Sequence, residues 1–212
     1  AEVFSTRRVS LAVAEAYLGP RTGRRVLDGQ ITRGDIDSIN SAIMVSDIRD
    51  WTGLSNRMAA KDALALANEY FEIIAQAVES NGGEILKLIG DGVLAVFPLD
   101  EQHKSSPAAC RNALSAARQA LQTTDRSPDL HFGIGLHFGE VLYGNIGSTT
   151  RIDFTVLGQA VNITARIEGF CSRLEIPLLF SREFADQTGE AGRVVANETL
   201  KGYDDQFEIL TC

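Results

Sequence analysis

Residues 84–97 read EILKLIGDGVLAVF, two apolar runs that meet at Gly90-Asp91-Gly92. Aspartate and glycine tolerate the positive φ of a tight turn, so the stretch predicts a β-hairpin. Asp91 is then either a plain turn residue or a carboxylate held at a sheet edge, and on this stretch alone the plain turn is favoured. Lys87 precedes it by four residues on the first strand. Helical patterns flank the hairpin. Upstream, Leu64, Ala67, Phe71, Ile74 and Val78 recur at steps of three and four, one face of an amphipathic helix closed by Asn81-Gly82-Gly83. Downstream of Pro107 a second helix uses Ala108, Ala113, Ala116 and Leu121 as apolar positions.

Working outward, residues 42–46 (AIMVS) fit a buried strand whose end delivers Asp47 to the polar run Asp47-Ile48-Arg49-Asp50. The competing reading makes Asp47 a helix N-cap. Residues 130–139 (LHFGIGLHFG) and 140–146 (EVLYGNI) read as two adjacent strands. Residues 154–157 lead into GQAVNITARIEGFCSRL, with helical spacing through Val161, Ala165, Ile167 and Phe170. Leu179-Phe180, Val194-Val195 and residues 207–210 supply short strands around a small helix. The order β-α-β-β-α-β-β-α-β predicts an α+β fold: a ferredoxin-like-derived sandwich with a mostly antiparallel central sheet and helices packed on it. Residues 1–39 read as an N-terminal extension or coupling segment and 40–212 as the main domain. Within the extension, residues 7–18 suit a helix stopped by Gly19-Pro20. The following RTGRRVLDGQITRGDIDS alternates turn residues with β-prone runs and includes the hairpin-type pair Asp28-Gly29.

Composition narrows the function. With 44% hydrophobic residues, the 212-residue chain can bury one sizeable core. Its 28 acidic and 20 basic residues give a net charge of -8, against a general nucleic-acid or anionic-membrane surface. An anionic substrate would have to be gripped locally. Cys110, Cys171 and Cys212 are odd in number and widely spaced, which predicts free thiols in a reducing, cytoplasmic setting. No apolar run approaches the roughly 18 residues of a membrane span, and no signal-peptide pattern opens the chain. The start at Ala1-Glu2-Val3 suggests a piece of something longer.

Asp47 and Asp91 both end predicted strands. If those strands are neighbours, the carboxylates share one edge, where Mg²⁺ could take them together with substrate phosphates. Asn162 and Arg166 are four apart on one helix face. An amide beside a guanidinium could hold a ribose or phosphate, although an isolated N-x-x-x-R is more often an ordinary polar face.

SDIRDWTGLS (46–55), ILKLIGDGVLAVF (85–97), GIGLHFGEVLYGNIGS (133–148) and FTVLGQAVNITARIE (154–168), in this order, resemble the catalytic domain of class III nucleotidyl cyclases, from about Ser41 to the C-terminus. The preamble YLGPRTGRRVLDGQITRGD is similar to the segment before this domain in some bacterial members. The resemblance implies an adenylate cyclase that converts ATP to 3′,5′-cyclic AMP and pyrophosphate. It implies two Mg²⁺ or Mn²⁺ ions per site on Asp47 and Asp91, with the Ile48 carbonyl as a further ligand. The loop through Trp51 and Thr52 would cradle the triphosphate with backbone N–H groups. Lys87 and Thr155 match the base-reading pair, Asn162 the ribose-orienting residue, Arg166 the stabiliser of the α-phosphate, and Lys201 the contact to the terminal phosphates. Threonine at 155 resembles a bacterial subgroup in which bicarbonate stimulation is common.

In the family these residues are divided between two subunits. The resemblance therefore implies a homodimer with composite sites and a fused upstream regulatory domain, without nucleic acid or membrane insertion. One position departs: Asp50 stands where the family has glycine, which predicts weaker ATP binding or lower activity. His137 reads as structural, the Trp51 side chain as a packing anchor, and Phe132 and Phe138 as core. The alternatives are a guanylate cyclase, a silent regulatory module, for which Asp50 is the best support, and a diguanylate cyclase, which the Gly-Asp-Gly turn disfavours.

Overall fold

The computed structural model describes residues 2–29, 32, 34–99, 105–123, 130–200, 202–203 and 205–212. Its frame is an eight-stranded sheet in which β1 (Ile36–Ile48) is central. On one side β1 pairs with β3 (Gly92–Pro98), which pairs with β2 (Glu84–Ile89). On the other it pairs with β4 (Phe132–Gly147), followed by β6 (Leu178–Ser181), β8 (Gln206–Thr211) and β7 (Arg193–Thr199). The strand β5 (Ile152–Leu157) folds back on β4. Among the described residues only the β4–β6 pairing is parallel, so the sheet is mostly antiparallel, as expected.

Alternation along β1 sorts the core. Ala42, Met44 and Ile48 face α4 (Ala60–Ser80) and α5 (Ser106–Thr123), where they pack with Tyr70, Ile74, Ala113 and Ala117. The alanine-rich face of α5 lets the helix lie close to the strands. Ile43 joins Leu94, Val141, Tyr143 and Val156 on the opposite face. There α6 (Gln159–Leu174) sends Ile163, Ile167 and Cys171 against Leu179 and Ile209. The short helices α3 (Trp51–Asn56) and α7 (Arg182–Thr188) complete the domain.

Three expectations need correction. Residues 132–147 form one strand, because Gly139 and Gly144 accommodate neighbours rather than turns: added Cβ atoms would lie 2.8 Å from Ala160 Cβ and 2.1 Å from Asp35 O. The continuous β4 pairs with β1 from Gly144 back to Phe132, which draws residues 36–39 into the central strand. At the N-terminus, α1 (Glu2–Leu18) ends at Gly19, but α2 (Pro20–Leu27) begins at once. PRTGRRVL is helical because proline is tolerated in a first helical turn and Gly23 seats α2 on α1. Asp28 ends α2 and forms no hairpin.

Candidate active site

Strand register brings the two aspartates together. Asp47 lies opposite Gly92, beside Asp91, and the Ile48 N–H approaches the Asp91 carbonyl at 3.4 Å. The two carboxyls share a hydrogen bond, yet Asp47 Oδ1 is buried without a hydrogen-bond partner among the described residues. Burial, then the hydrogen bond to Asp91 and its charge, then Glu168, raise the Asp47 pKa to about 7, against a lowering contribution from the Ile48 N–H. Such a carboxyl pair lacks positive charge, and a divalent cation would reverse that balance. Among the described residues no group of three or more His, Cys, Asp or Glu is arranged for a metal. A cation on Asp47 and Asp91 would fill its shell with main-chain carbonyl, phosphate and water oxygens, which suits Mg²⁺.

Glu168 was not singled out from sequence. It is buried on α6, and its charge acts on both Asp47 and Tyr70. Burial raises its own pKa, and Arg49, 4.0 Å away, opposes that rise. Arg49 also donates to the Ile176 carbonyl at 3.3 Å. Glycines make room for this arrangement. A Cβ at Gly133 would meet Arg49 Nη2 at 2.5 Å and Glu168 Oε1 at 2.7 Å, and one at Gly135 would meet the Glu168 nitrogen at 2.6 Å. The motif Gly133-Ile134-Gly135 therefore lays α6 directly on β4, and paired strand glycines were the available sequence signal.

Arg166 lies two residues from Glu168, about 200° around the helix, and is exposed. Asn162, one turn earlier, is exposed too. Glu168 faces its own chain's aspartates, so Arg166 points away from them. Lys87, on β2, places Nζ 3.2 Å from Asp153 Oδ2 on β5. Thr155, two residues further along β5 and on the same face, is buried opposite Gly144. Lys87, Asp153 and Phe154 line an open groove of about 1320 Å³ that continues to α2 and α4. Lys201 lies outside the described residues.

The loop departure has a definite geometry. Asp50 takes the left-handed conformation (φ 48°, ψ 35°) at the N-cap of α3, the conformation for which glycine is suited. Its carboxylate pairs with Arg57 at 3.1 Å. A Cβ at Gly53 would come within 2.5 Å of the Asp50 carboxyl oxygens. Trp51 packs against the main core, consistent with an anchor, whereas Thr52 is exposed. His137 is buried, with Nδ1 2.7 Å from Ser181 Oγ, a structural setting.

Two half-buried aspartates, closely paired at the edge of an antiparallel α+β sheet, offer a place for a divalent cation beside phosphate oxygens. The chain belongs to the family described as the adenylate and guanylate cyclase catalytic domain, whose family model matches residues 36–181. It is 34% identical over 144 residues to an adenylate cyclase of Anabaena cylindrica, covering 66% of this chain and 29% of that protein. It is 28% identical over 188 residues to the terminal-differentiation-specific adenylate cyclase of Dictyostelium discoideum, covering 83% of this chain and 9% of that protein. These curated relatives are thus much longer than the chain. A bacterial light-regulated adenylyl cyclase superposes with a TM-score of 0.80 at 27% identity, covering 99% of this chain and 62% of the other. The domain is a nucleotidyl cyclase catalytic domain, and no helix among the described residues is long and apolar enough to cross a membrane.

Proposed function

We propose that the domain makes 3′,5′-cyclic AMP from ATP at composite sites between two copies of the chain. The observation that carries this reading is the opposed placement of its charges: Asp47 and Asp91 pair on one side, while Arg166 projects from α6 away from them. Support for a second copy comes from Leu88, Ile89, Leu142, Ile152 and Leu157, five large apolar residues left exposed on β2, β4 and β5. Asp47, Asp91 and the Ile48 carbonyl would hold two Mg²⁺ or Mn²⁺ ions, which when bound acidify the ribose 3′-hydroxyl and balance charge on the leaving pyrophosphate.

The chain's own groups do the rest. Backbone N–H groups near Trp51 and Thr52 hold the triphosphate. Lys87 donates to adenine and the Thr155 hydroxyl accepts from its amino group. Asn162 fixes the ribose so that its 3′-oxygen attacks the α-phosphorus in line. The P–O bond to the β-phosphate breaks, pyrophosphate departs towards Lys201, and the hydroxyl proton is lost to solvent. Arg166 meets the negative charge that develops on the α-phosphate oxygens. The buried thiols Cys110 and Cys171 suit a reducing, cytoplasmic setting, with a regulatory domain joined upstream.

Complementation tests this reading. Asp47→Asn and Arg166→Ala should each fold and each be inactive alone. Mixed and re-equilibrated in equal amounts, they should regain about a quarter of wild-type activity, because half the dimers are mixed and each mixed dimer holds one intact site. No recovery would refute the composite site. Cyclic GMP from GTP as the main product would refute the base assignment, and no product from either nucleotide would favour a silent module, the reading that Asp50 supports.

A further inference from the structure

The PRTGRR stretch before β1 has no part in this chemistry, and neither has Glu84, whose side chain is buried at 5% exposure. The two meet. Thr22, at 3% exposure, donates to Glu84 Oε1 from its hydroxyl at 2.7 Å and from its main-chain N–H at 3.2 Å. The other carboxyl oxygen, Oε2, accepts from the Tyr143 hydroxyl at 2.7 Å. A single buried carboxyl therefore joins α2, β2 and β4.

Both strands lead to a base-reading position. Glu84 opens β2, which carries Lys87 and turns at Asp91. Tyr143 lies opposite Val156, adjacent to Thr155, and its ring stands edge-on to Phe154 with centroids 4.7 Å apart. On the other side, α2 has no room to slide on α1. A Cβ at Gly23 would lie 2.8 Å from the Ala14 carbonyl carbon and the Glu15 nitrogen, and Arg24 pairs with Glu15 at 3.1 Å. The two helices thus pack closely against each other, and α2 is seated on Glu84.

A buried carboxyl makes this seat selective. Apolar contacts weaken gradually when helices shift, but a shift of α2 would strip both donors from Oε1 and leave it buried and unpaired. The position of α2 and the position of β2 are therefore coupled through one polar network.

We propose that Glu84 is a positioning residue through which the α1–α2 unit sets the placement of β2 and β5, and with it the affinity for the nucleotide base. The proposal rests on the reading that Lys87 and Thr155 take that base. Thr22→Val keeps the side-chain shape and removes the hydroxyl; Thr22→Ser restores it. In the full chain, Thr22→Val should raise the KM for ATP about tenfold, with kcat within about twofold, and Thr22→Ser should return KM to the wild-type range. Without nucleotide, amide hydrogen exchange along residues 84–89 should quicken about tenfold in Thr22→Val and not in Thr22→Ser. Tyr143→Phe should reproduce both effects.

Lys87→Ala separates the two layers. Faster exchange in Thr22→Val supports the coupling even if Lys87→Ala leaves KM unchanged, a result that would sink only the base assignment. Unchanged exchange and unchanged KM in Thr22→Val overturn the proposal even when Lys87→Ala raises KM. Equal losses in Thr22→Val and Thr22→Ser, with kcat falling alongside KM, also overturn it, because they indicate general destabilisation.

Discussion

Replacing Asp50 with glycine should tighten nucleotide binding while steadying the fold. Two contributions can be worked from the structure. The left-handed backbone at Asp50 costs about 1 kcal/mol or less for an aspartate, and glycine removes that cost. The lost ion pair with Arg57 subtracts little, since both side chains are largely exposed at 70% and 67%. A net gain of about 0.5 kcal/mol would raise Tm by roughly 1–2 °C in a domain of this size. The second contribution is charge. For an assumed carboxylate–phosphate separation of about 8 Å in the nucleotide complex, at an effective dielectric of about 40, the repulsion would oppose binding by about 1 kcal/mol, and Arg57 would offset part of this. Asp50→Gly should therefore lower the KM for ATP by about two- to fivefold. The assay is initial-rate kinetics at low and high salt, where screening should shrink the difference. Asp50→Asn separates the contributions: it tolerates the left-handed backbone as aspartate does and lacks the charge, so it should lower KM without raising Tm. If both variants match the wild-type KM at low salt, the carboxylate does not oppose the triphosphate and the reasoning fails.

Gly135→Ala should lower Tm by several degrees and reduce activity at least about tenfold, because the new methyl must push α6, with Asn162 and Arg166, off β4. Gly169→Ala, on the same helix but facing open space, should be neutral or slightly stabilising; equal behaviour of the two variants would argue against the close seat of α6. Burial lowers the pKa of His137 to about 4, only partly opposed by Glu183. The unfolded chain binds this proton near pH 6.5 and the folded chain only near pH 4, so stability is lost as pH falls through that window, by at most about 1.4 kcal/mol per pH unit. Urea unfolding at pH 7, 6 and 5 should show this slope flattened in His137→Gln, and an unchanged slope would contradict it.

Much of the fold was legible because it is written in local periods. The three- and four-residue spacing of α4, the hairpin at Gly90-Asp91-Gly92 and the strand ending at Asp47 each follow from side-chain direction within one element. Glycine is the exception, since the same residue serves turns and close approaches. The glycines of β4 accordingly suggested a break where α6 and the start of β1 needed room. PRTGRRVL likewise offered turn residues to a stretch that becomes helical once Gly23 finds α1.

The ten residues singled out from sequence mark positions along the chain, and what lies beside each depends on contacts between distant segments. Register between β1 and β3 joins Asp47 to Asp91, and the seat of α6 on Gly133 and Gly135 places Glu168 near them while turning Arg166 away. The unpartnered Asp47 oxygen and the Thr22–Glu84–Tyr143 network depend on burial. The sequence by itself determined which groups can do chemistry, because residue type and local spacing are one-dimensional properties. Only the tertiary structure decided which of them share a low-dielectric space, because burial and electrostatic coupling arise where remote strands and helices pack.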